Sequence, residues 1–336
     1  MRTLLSIQYL RAAAALAVVV YHVLQWRSGG FEVGRAGVDV FFVISGVIMW
    51  RITAGRPIKA AGFLWRRLTR VAPAYWLATL LLAAIAVAWP AFLPKVHPVP
   101  GHLLLSLAFV PHLDPAGLPF PLLAPGWTLT YEAGFYLIFA AALAVPERAR
   151  AVVITCALAA LVAAGLLLAD PVYILGANPL MLEFAAGVWL GRLSATGALP
   201  GRAWGLALIA AGGASFVAMG AAGWRDELWR AVVWGAPAAM IVAGALCLEA
   251  RGPVALFPPL LALGDASYSL YLFHPIAVAF VAHAVGPRPW FFIPLALAAA
   301  TGAGLAARTL VEKPLMARLR ASTARRPPMP ALDRRS

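Results

Sequence analysis

Long apolar runs, broken at intervals by short basic segments, constrain this chain more than any other feature. Residues 71–89 and 151–169, for example, contain no charged side chain. An α-helix needs roughly 20 such residues to cross the hydrocarbon core of a bilayer, and every span must satisfy its backbone hydrogen bonds internally. The sequence therefore predicts an all-α integral membrane protein built as a single helical bundle.

The apolar runs divide the chain into about ten predicted spans. They are residues 7–25, 38–53, 71–89, 126–145, 151–169, 178–194, 203–222, 229–248, 265–285 and 290–311. Lys and Arg concentrate in alternate connecting segments, and the positive-inside rule places those segments and both termini in the cytoplasm. We expect residues 1–315 to form one membrane domain and residues 316–336 to form a basic, disordered cytoplasmic tail.

The charge balance does not indicate nucleic-acid binding, although the formal net charge is +14. Basic residues lie in short clusters between apolar runs, and no known nucleic-acid-binding module is evident. Only 12% of the residues are charged and 62% are hydrophobic, which suits a bilayer better than water. Cys156 and Cys247 lie alone within apolar runs, so we expect no metal site.

Polar side chains inside the predicted spans are the candidates for a site, because each costs free energy in the bilayer. Arg11 and His22 lie on the first span. At 3.6 residues per turn they share a helix face, with His22 about 16 Å further from the cytoplasm. Taken singly, each has a structural explanation: Arg11 extends its charge to the interface, and His22 bonds to a neighbouring helix.

Asp39 begins the second predicted span. In an antiparallel hairpin it would start at the level that His22 reaches. A carboxylate beside an imidazole fixes its tautomer and raises its basicity, as a general base requires. We therefore expect Asp39 to orient His22, while a simple helix-capping role for Asp39 stays open.

A basic cluster precedes the third span. Arg67 and Arg70 are three residues apart and would lie on one surface of a helix. Paired guanidinium groups at the cytoplasmic surface suit a phosphate-bearing ligand. Taken alone, the cluster is better explained as ordinary positive-inside charge.

Two later spans carry polar stripes. Glu132 and Tyr136 lie four residues apart on the fourth span, which opens near Trp127. A glutamate at that depth is expected to face a polar site or a neighbouring helix. Tyr271 and His274 fall on one side of the ninth span. The four remaining histidines lie in or near loops and indicate no site: His97, His102, His112 and His283.

Taken together and in this order, the segments resemble the membrane acyltransferase-3 family of bacterial carbohydrate O-acyltransferases, over about residues 4–315. The matching pieces are Arg11 and His22 at the R-x10-H spacing, GVDVFF at 37–42 with Ser45-Gly46, Arg67-x-x-Arg70, Trp127 to Tyr136, Ser267 to His274, and Glu312-Lys313-Pro314. The segment Asn178-Pro179 to Glu183-Phe184 is similar to the exopolysaccharide-modifying branch.

The resemblance implies an enzyme that uses an acyl-CoA donor, for which we expect acetyl-CoA, and a hydroxyl of a glycan or lipid-linked glycan as acceptor. The residues expected to act are His22, Asp39 and Glu132 in catalysis, Arg11, Arg67 and Arg70 in donor binding, and Trp127, Tyr136, Tyr271 and His274 in substrate binding. We expect a multi-pass protein of the inner membrane, with polysaccharide-assembly proteins as further candidate partners.

Two questions stay open at this point. His22 would act either as a general base in direct transfer or through an acyl-histidine intermediate. A transporter or flippase of a lipid-linked glycan, with the same polar residues along its path, is the alternative from another class of protein. The lack of an evident internal repeat and the pairing of Arg11 with His22 favour the enzyme.

Overall fold

The computed structural model describes residues 4–27, 29–168, 178–224 and 226–324, and these form helices and loops with no β-strand. In chain order the helices are α1 Leu5–Gln25, α2 Ala36–Thr53, α3 Ala60–Ala88, α4 Pro100–Leu107, α5 Trp127–Ala142, α6 Glu147–Leu168, α7 Met181–Thr196, α8 Arg202–Ala221, α9 Ala236–Ala250, α10 Pro258–Val285, α11 Phe292–Ala307 and α12 Lys313–Ala324. The all-helical architecture predicted from the apolar runs is thus confirmed for the described residues.

Eight helical segments of the described chain are long and apolar enough to cross a bilayer. Helices α5 and α7 occupy two further predicted spans but have 16 residues each. Sixteen residues rise about 24 Å, somewhat less than the thickness of a typical hydrocarbon core. The chain is a multi-pass helical membrane protein, while the count of ten spans and the cytoplasmic termini stay predictions.

The basic segment before the third predicted span is part of the same helix as the span. Helix α3 has 29 residues and begins at Ala60, eleven residues before the expected start at 71. Arg67 and Arg70 therefore lie on a helix that continues past Pro73 into the apolar bundle. This continuity places the backbone of both arginines on the same helix as the span.

The end of the chain differs from the expected disordered tail. A wide π turn at Arg308–Glu312 leads from α11 into α12, so the boundary expected at 315/316 falls inside helix α12. The segment after Pro314 contains the strong helix formers Leu, Met, Ala and Arg, which explains why the helix persists. Residues 325–336 of the expected tail lie outside the described residues.

Helix α2 occupies the centre of the bundle, and glycines let α7 approach it closely. A methyl group added at Gly187 would overlap the carbonyl oxygen of Val43, and one added at Gly191 would lie 2.8 Å from Trp50 Cβ. Gly46 on α2 faces the Phe184 carbonyl in the same way. Small residues at such crossings allow membrane helices to pack backbone against backbone.

Stacked aromatic rings join the central helices on one side of α2. The ring of Phe184 lies between Phe42 and Phe135, with centroid separations of 4.5 and 4.4 Å. Phe63 on α3 stacks on Phe139 of α5 at 5.3 Å. These contacts hold α2, α3, α5 and α7 around the space that contains the candidate site.

Candidate active site

A cavity of about 270 Å³ lies between α1, α2, α3, α5 and α10. Its walls are largely apolar, with cationic and hydroxyl groups among them. The lining residues are Arg11, Val38, Phe41, Phe42, Ile44, Ser45, Ile48, Met49, Arg67, Arg70, Val71, Thr128, Leu129, Glu132, Tyr136, Ser267, Tyr268 and Tyr271. Six of the ten residues selected from the sequence therefore meet at one cavity: Arg11, Arg67, Arg70, Glu132, Tyr136 and Tyr271.

Arg70 is held in place by a buried carboxylate. Glu312 Oε1 accepts from Arg70 Nη1 at 2.7 Å and from Arg308 Nη1 at 2.8 Å. Its second oxygen accepts from Ser269 Oγ at 2.7 Å. One carboxylate thus balances two guanidinium groups, which leaves a net positive charge beside the cavity.

The other two arginines add to this charge. Arg11 Nη1 donates to Gln8 Oε1 at 3.0 Å, so it meets a neutral amide rather than a carboxylate. Arg67 Nε is buried and has no hydrogen-bond partner. Three guanidinium groups and one carboxylate, Glu132, line the cavity. This excess of positive charge suits an anionic ligand, and a phosphate oxygen would supply the acceptor that Arg67 Nε lacks.

Glu132 lines the cavity as part of a small polar cluster. Its Oε1 accepts from Ser45 Oγ at 2.9 Å and from Tyr136 Oη at 2.5 Å. Two hydroxyl donors on one oxygen orient the carboxyl group and leave its other oxygen, Oε2, for a further partner. The electrostatic field of Glu132 also reaches Arg67 on α3.

His22 and His274 come together outside the cavity lining, near the C-terminal end of α1 and just past the middle of α10. His274 Nε2 lies 3.3 Å from His22 Nδ1. His274 is completely buried and His22 is half-buried. Tyr271 lines the cavity with its ring centroid 6.1 Å from that of His274, so it connects the pair to the cavity.

The expected contact between Asp39 and His22 is wrong. Both oxygens of Asp39 accept from Arg230, Oδ1 from Nε at 3.2 Å and Oδ2 from Nη2 at 3.0 Å. The physical reason is charge: a guanidinium group binds a carboxylate with two parallel, charge-assisted hydrogen bonds, which neutral imidazole cannot match. Asp39 is fully buried in this ion pair and does not line the cavity.

Trp127 also lies outside the main cavity. Its ring packs against Tyr131 at 5.6 Å and lies under the Arg230 guanidinium group at 5.9 Å. It lines a second, much smaller pocket together with His112 and Thr130. Its expected role in substrate binding stays a prediction, and this role would be played at the second pocket rather than in the main cavity.

Sequence reasoning missed the partners that lie far along the chain. Arg230 is 191 residues from Asp39, and Glu312 is 242 residues from Arg70. Glu183 is buried next to the Asp39–Arg230 pair. An acidic residue at membrane depth was the available signal for Glu183, whereas nothing local pointed to Arg230.

A second pair of histidines lies near the short helix α4. His102 Nδ1 and His112 Nε2 are 2.8 Å apart, and His112 Nδ1 lies 2.8 Å from the Val110 carbonyl oxygen. Burial, followed by the repulsion of His112, lowers the pKa of His102. The described residues contain no group of three or more His, Cys, Asp or Glu that could hold a metal ion.

Comparisons with known proteins agree over nearly the whole chain. Residues 4–308 match the acyltransferase-3 family profile, described as an acyltransferase domain. The exopolysaccharide production protein ExoZ of Rhizobium meliloti (strain 1021) is 40% identical over 313 residues, which cover 90% of this chain and 96% of that protein.

A second relative is the peptidoglycan O-acetyltransferase OatA of Listeria monocytogenes. It is 32% identical over 157 residues, which cover 42% of this chain and 24% of that protein. The chain thus aligns with about a quarter of OatA. No solved structure matches the chain.

Proposed function

The chain belongs to the acyltransferase-3 family, and from that premise we propose that it is a membrane O-acetyltransferase acting on a glycan. The donor is acetyl-CoA, and the acceptor is a hydroxyl of an exported polysaccharide or of its lipid-linked precursor. The observation that carries this proposal is the cavity with Arg11, Arg67 and Arg70 at its wall, joined through Tyr271 to His22 and His274.

The arginines supply the donor site. Phosphate groups of CoA would meet Arg67, whose Nε lacks a partner, and Arg70, which Glu312 holds in position. Along α1, Arg11 and His22 are about 16 Å apart. A ligand that reaches both points must be extended. Acetyl-CoA is extended, because its pantetheine arm separates the phosphates from the thioester.

His22 supplies the acid–base chemistry. In direct transfer the acceptor oxygen forms a bond to the thioester carbonyl carbon while the C–S bond breaks. The hydroxyl proton moves to His22 and then to the departing thiolate, so that free CoA and an O-acetyl ester result. In the covalent alternative, His22 itself takes the acetyl group and passes it to the hydroxyl.

The carboxylate cluster and the aromatic residues supply the acceptor site. Glu132 presents one oxygen to the cavity beside Tyr136, which suits hydrogen bonding to sugar hydroxyls. Trp127, on its separate small pocket, offers an aromatic face of the kind that packs on a sugar ring. The relative named for exopolysaccharide production supports an exported polysaccharide as acceptor. We place the protein in the inner membrane because a multi-pass helical chain there can reach cytoplasmic acetyl-CoA.

Asp39 has a structural place in this scheme. Its carboxylate holds Arg230, and through Arg230 it supports the ring of Trp127. We therefore assign it to the scaffold of the site rather than to proton transfer from His22.

The proposal is tested with purified protein in nanodiscs, radiolabelled acetyl-CoA and a lipid-linked glycan extract. Wild type is compared with His22→Ala and with His283→Ala, an exposed histidine near the end of α10 that packs on Phe92. We expect labelled glycan from wild type and His283→Ala, and none from His22→Ala. Equal labelling by His22→Ala, or no labelling by folded wild type, would contradict the proposal; glycan movement without acyl transfer would indicate a transporter.

A further inference from the structure

The hydrogen bonds of His22 and His274 determine their tautomers. His22 Nδ1 lies 2.9 Å from the Val18 carbonyl oxygen, and His274 Nδ1 lies 3.2 Å from the Leu270 carbonyl oxygen. Each carbonyl is four residues earlier on the same helix. A carbonyl oxygen only accepts hydrogen bonds, so each neutral ring carries its proton on Nδ1.

This assignment leaves each Nε2 as an acceptor. His274 Nε2 faces His22 Nδ1 at 3.3 Å, where it accepts part of the hydrogen bond that His22 Nδ1–H also makes to Val18. The ring centroids are 4.9 Å apart at 47°, so the contact is lateral rather than a stack. The nitrogen of His22 that remains available as a base or nucleophile is Nε2.

No carboxylate in the described part of the chain bonds to either ring. Asp39, the carboxylate expected there, is engaged by Arg230. The groups packed around the pair are aromatic: Tyr271 near His274, and Tyr21 beside His22 at 5.1 Å between centroids. A neutral imidazole thus occupies the position that a carboxylate takes in a Ser-His-Asp triad.

We propose that His274 is a positioning residue: together with the Val18 carbonyl it holds the Nδ1-protonated tautomer of His22, and it accepts a stronger hydrogen bond from Nδ1–H as His22 becomes charged. The inference rests on the proposed function, in which His22 Nε2 gains a proton or an acetyl group. Either event makes the His22 ring cationic and its Nδ1–H a better donor. His274 Nε2 is then the acceptor that stabilises the charge, without adding a negative charge inside the membrane.

Three substitutions at one position separate this role from simple packing. In His274→Gln, the side-chain amide oxygen reaches the place of Nε2 and keeps an acceptor there. In His274→Asn, the shorter side chain places its amide near Nδ1 and removes that acceptor. In His274→Phe, the ring volume is retained but both nitrogens are lost. Size-exclusion profiles in detergent check that each variant is folded.

Two readouts are taken on every variant. The first is acetyl transfer, resolved into kcat and the KM for acetyl-CoA. The second is the rate at which diethyl pyrocarbonate modifies His22, followed by peptide mass spectrometry, which reports the nucleophilicity of the imidazole without any turnover. Because this probe needs no donor or acceptor substrate, it tests the inference even if the proposed function is wrong.

We expect kcat and the modification rate of His22 to fall about 10- to 100-fold in His274→Asn and His274→Phe, with the KM for acetyl-CoA unchanged. His274→Gln should retain most of both. Wild-type rates in His274→Phe, or an equal loss in all three variants, would overturn the inference. If His274→Asn and His274→Phe lose His22 reactivity as predicted while wild type transfers no acetyl group, the inference is supported and the proposed function is rejected.

Discussion

At the scale of single residues, this protein places several charges where a bilayer protein rarely tolerates them. Asp39 and Arg230 have side-chain exposures of 0% and 6%, and each satisfies the other through two hydrogen bonds. Glu312 accepts one hydrogen bond from Arg70 and one from Arg308, both on the same oxygen. Buried pairs of this kind add little net stability, but breaking one leaves an unpaired charge that is expensive.

The Asp39–Arg230 pair gives the first prediction. Arg230→Met should lower the free energy of unfolding by about 3–5 kcal/mol, because Asp39 then remains buried without its partner. Asp39→Asn combined with Arg230→Met removes both charges and should recover part of that loss. Thermal unfolding in detergent measures both variants, and a double variant less stable than Arg230→Met alone would contradict the interpretation.

The excess of guanidinium groups at the cavity gives the second prediction. Arg67→Gln should raise the KM for acetyl-CoA about 10- to 100-fold, since it removes a charged donor from the proposed phosphate site. The neighbouring Arg66 is exposed and does not line the cavity, so Arg66→Gln is the matched control. Steady-state kinetics in nanodiscs measure the KM for acetyl-CoA of both variants. Equal KM values would count against the donor site.

At the scale of helices, the position of the site depends on how α7 packs on α2. Gly187 and Gly191 on α7 bring its backbone against Val43, Val47 and Trp50 of α2. Helix α2 in turn carries Ser45, which donates to Glu132, and the apolar side chains that line one wall of the cavity. A displacement of α2 would therefore alter both the cavity and the orientation of Glu132.

A methyl group at this crossing gives the third prediction. Gly187→Ala should destabilise the protein by about 1–3 kcal/mol and reduce acetyl transfer, because the helices must separate to admit it. Gly213→Ala on α8 is the control, since nothing lies within 4 Å of a carbon added there. Unfolding midpoints and activity are measured together; a Gly187→Ala variant indistinguishable from Gly213→Ala would contradict the role of this contact.

Helices were the part of the fold that could be predicted from the sequence, because apolar length is a local property. The predicted spans correspond to described helices, and the motif residues Arg11, Arg67, Arg70, Glu132, Tyr136 and Tyr271 do meet at one cavity. The partner of Asp39 could not be predicted, since Arg230 reaches it only through the packing of α2 beside α9 and its preceding turn.

The histidine pair shows the same limit. His22 and His274 were both selected, each on its own helix, but their contact joins residues 252 positions apart. A carboxylate was the chemically obvious partner for His22, and only the arrangement of the helices shows that α10 supplies an imidazole instead. Spacing along one helix indicates which residues share a face, not which helix that face meets.

At the scale of the whole molecule, α1 runs from the arginine-lined part of the cavity to the histidine pair. Arg11 lies near its N-terminal end and His22 near its C-terminal end, with Arg67 and Arg70 contributed by α3 and His274 by α10. The positive-inside distribution predicts that the arginine end faces the cytoplasm, which is the side from which the proposed acetyl-CoA donor would come. The proposed function therefore requires the donor to enter from one side only.

Acetyl transfer in sealed proteoliposomes tests this central claim most directly. Lys59 lies beside the N-terminal end of α3, so labelling of Lys59→Cys by an impermeant reagent identifies the vesicles in which the arginine end faces outwards. Radiolabelled acetyl-CoA, which does not cross the bilayer, is then added outside, with lipid-linked glycan in the membrane. We predict labelled glycan only from vesicles in that orientation. Equal labelling from vesicles of the opposite orientation would contradict donor entry at the arginines.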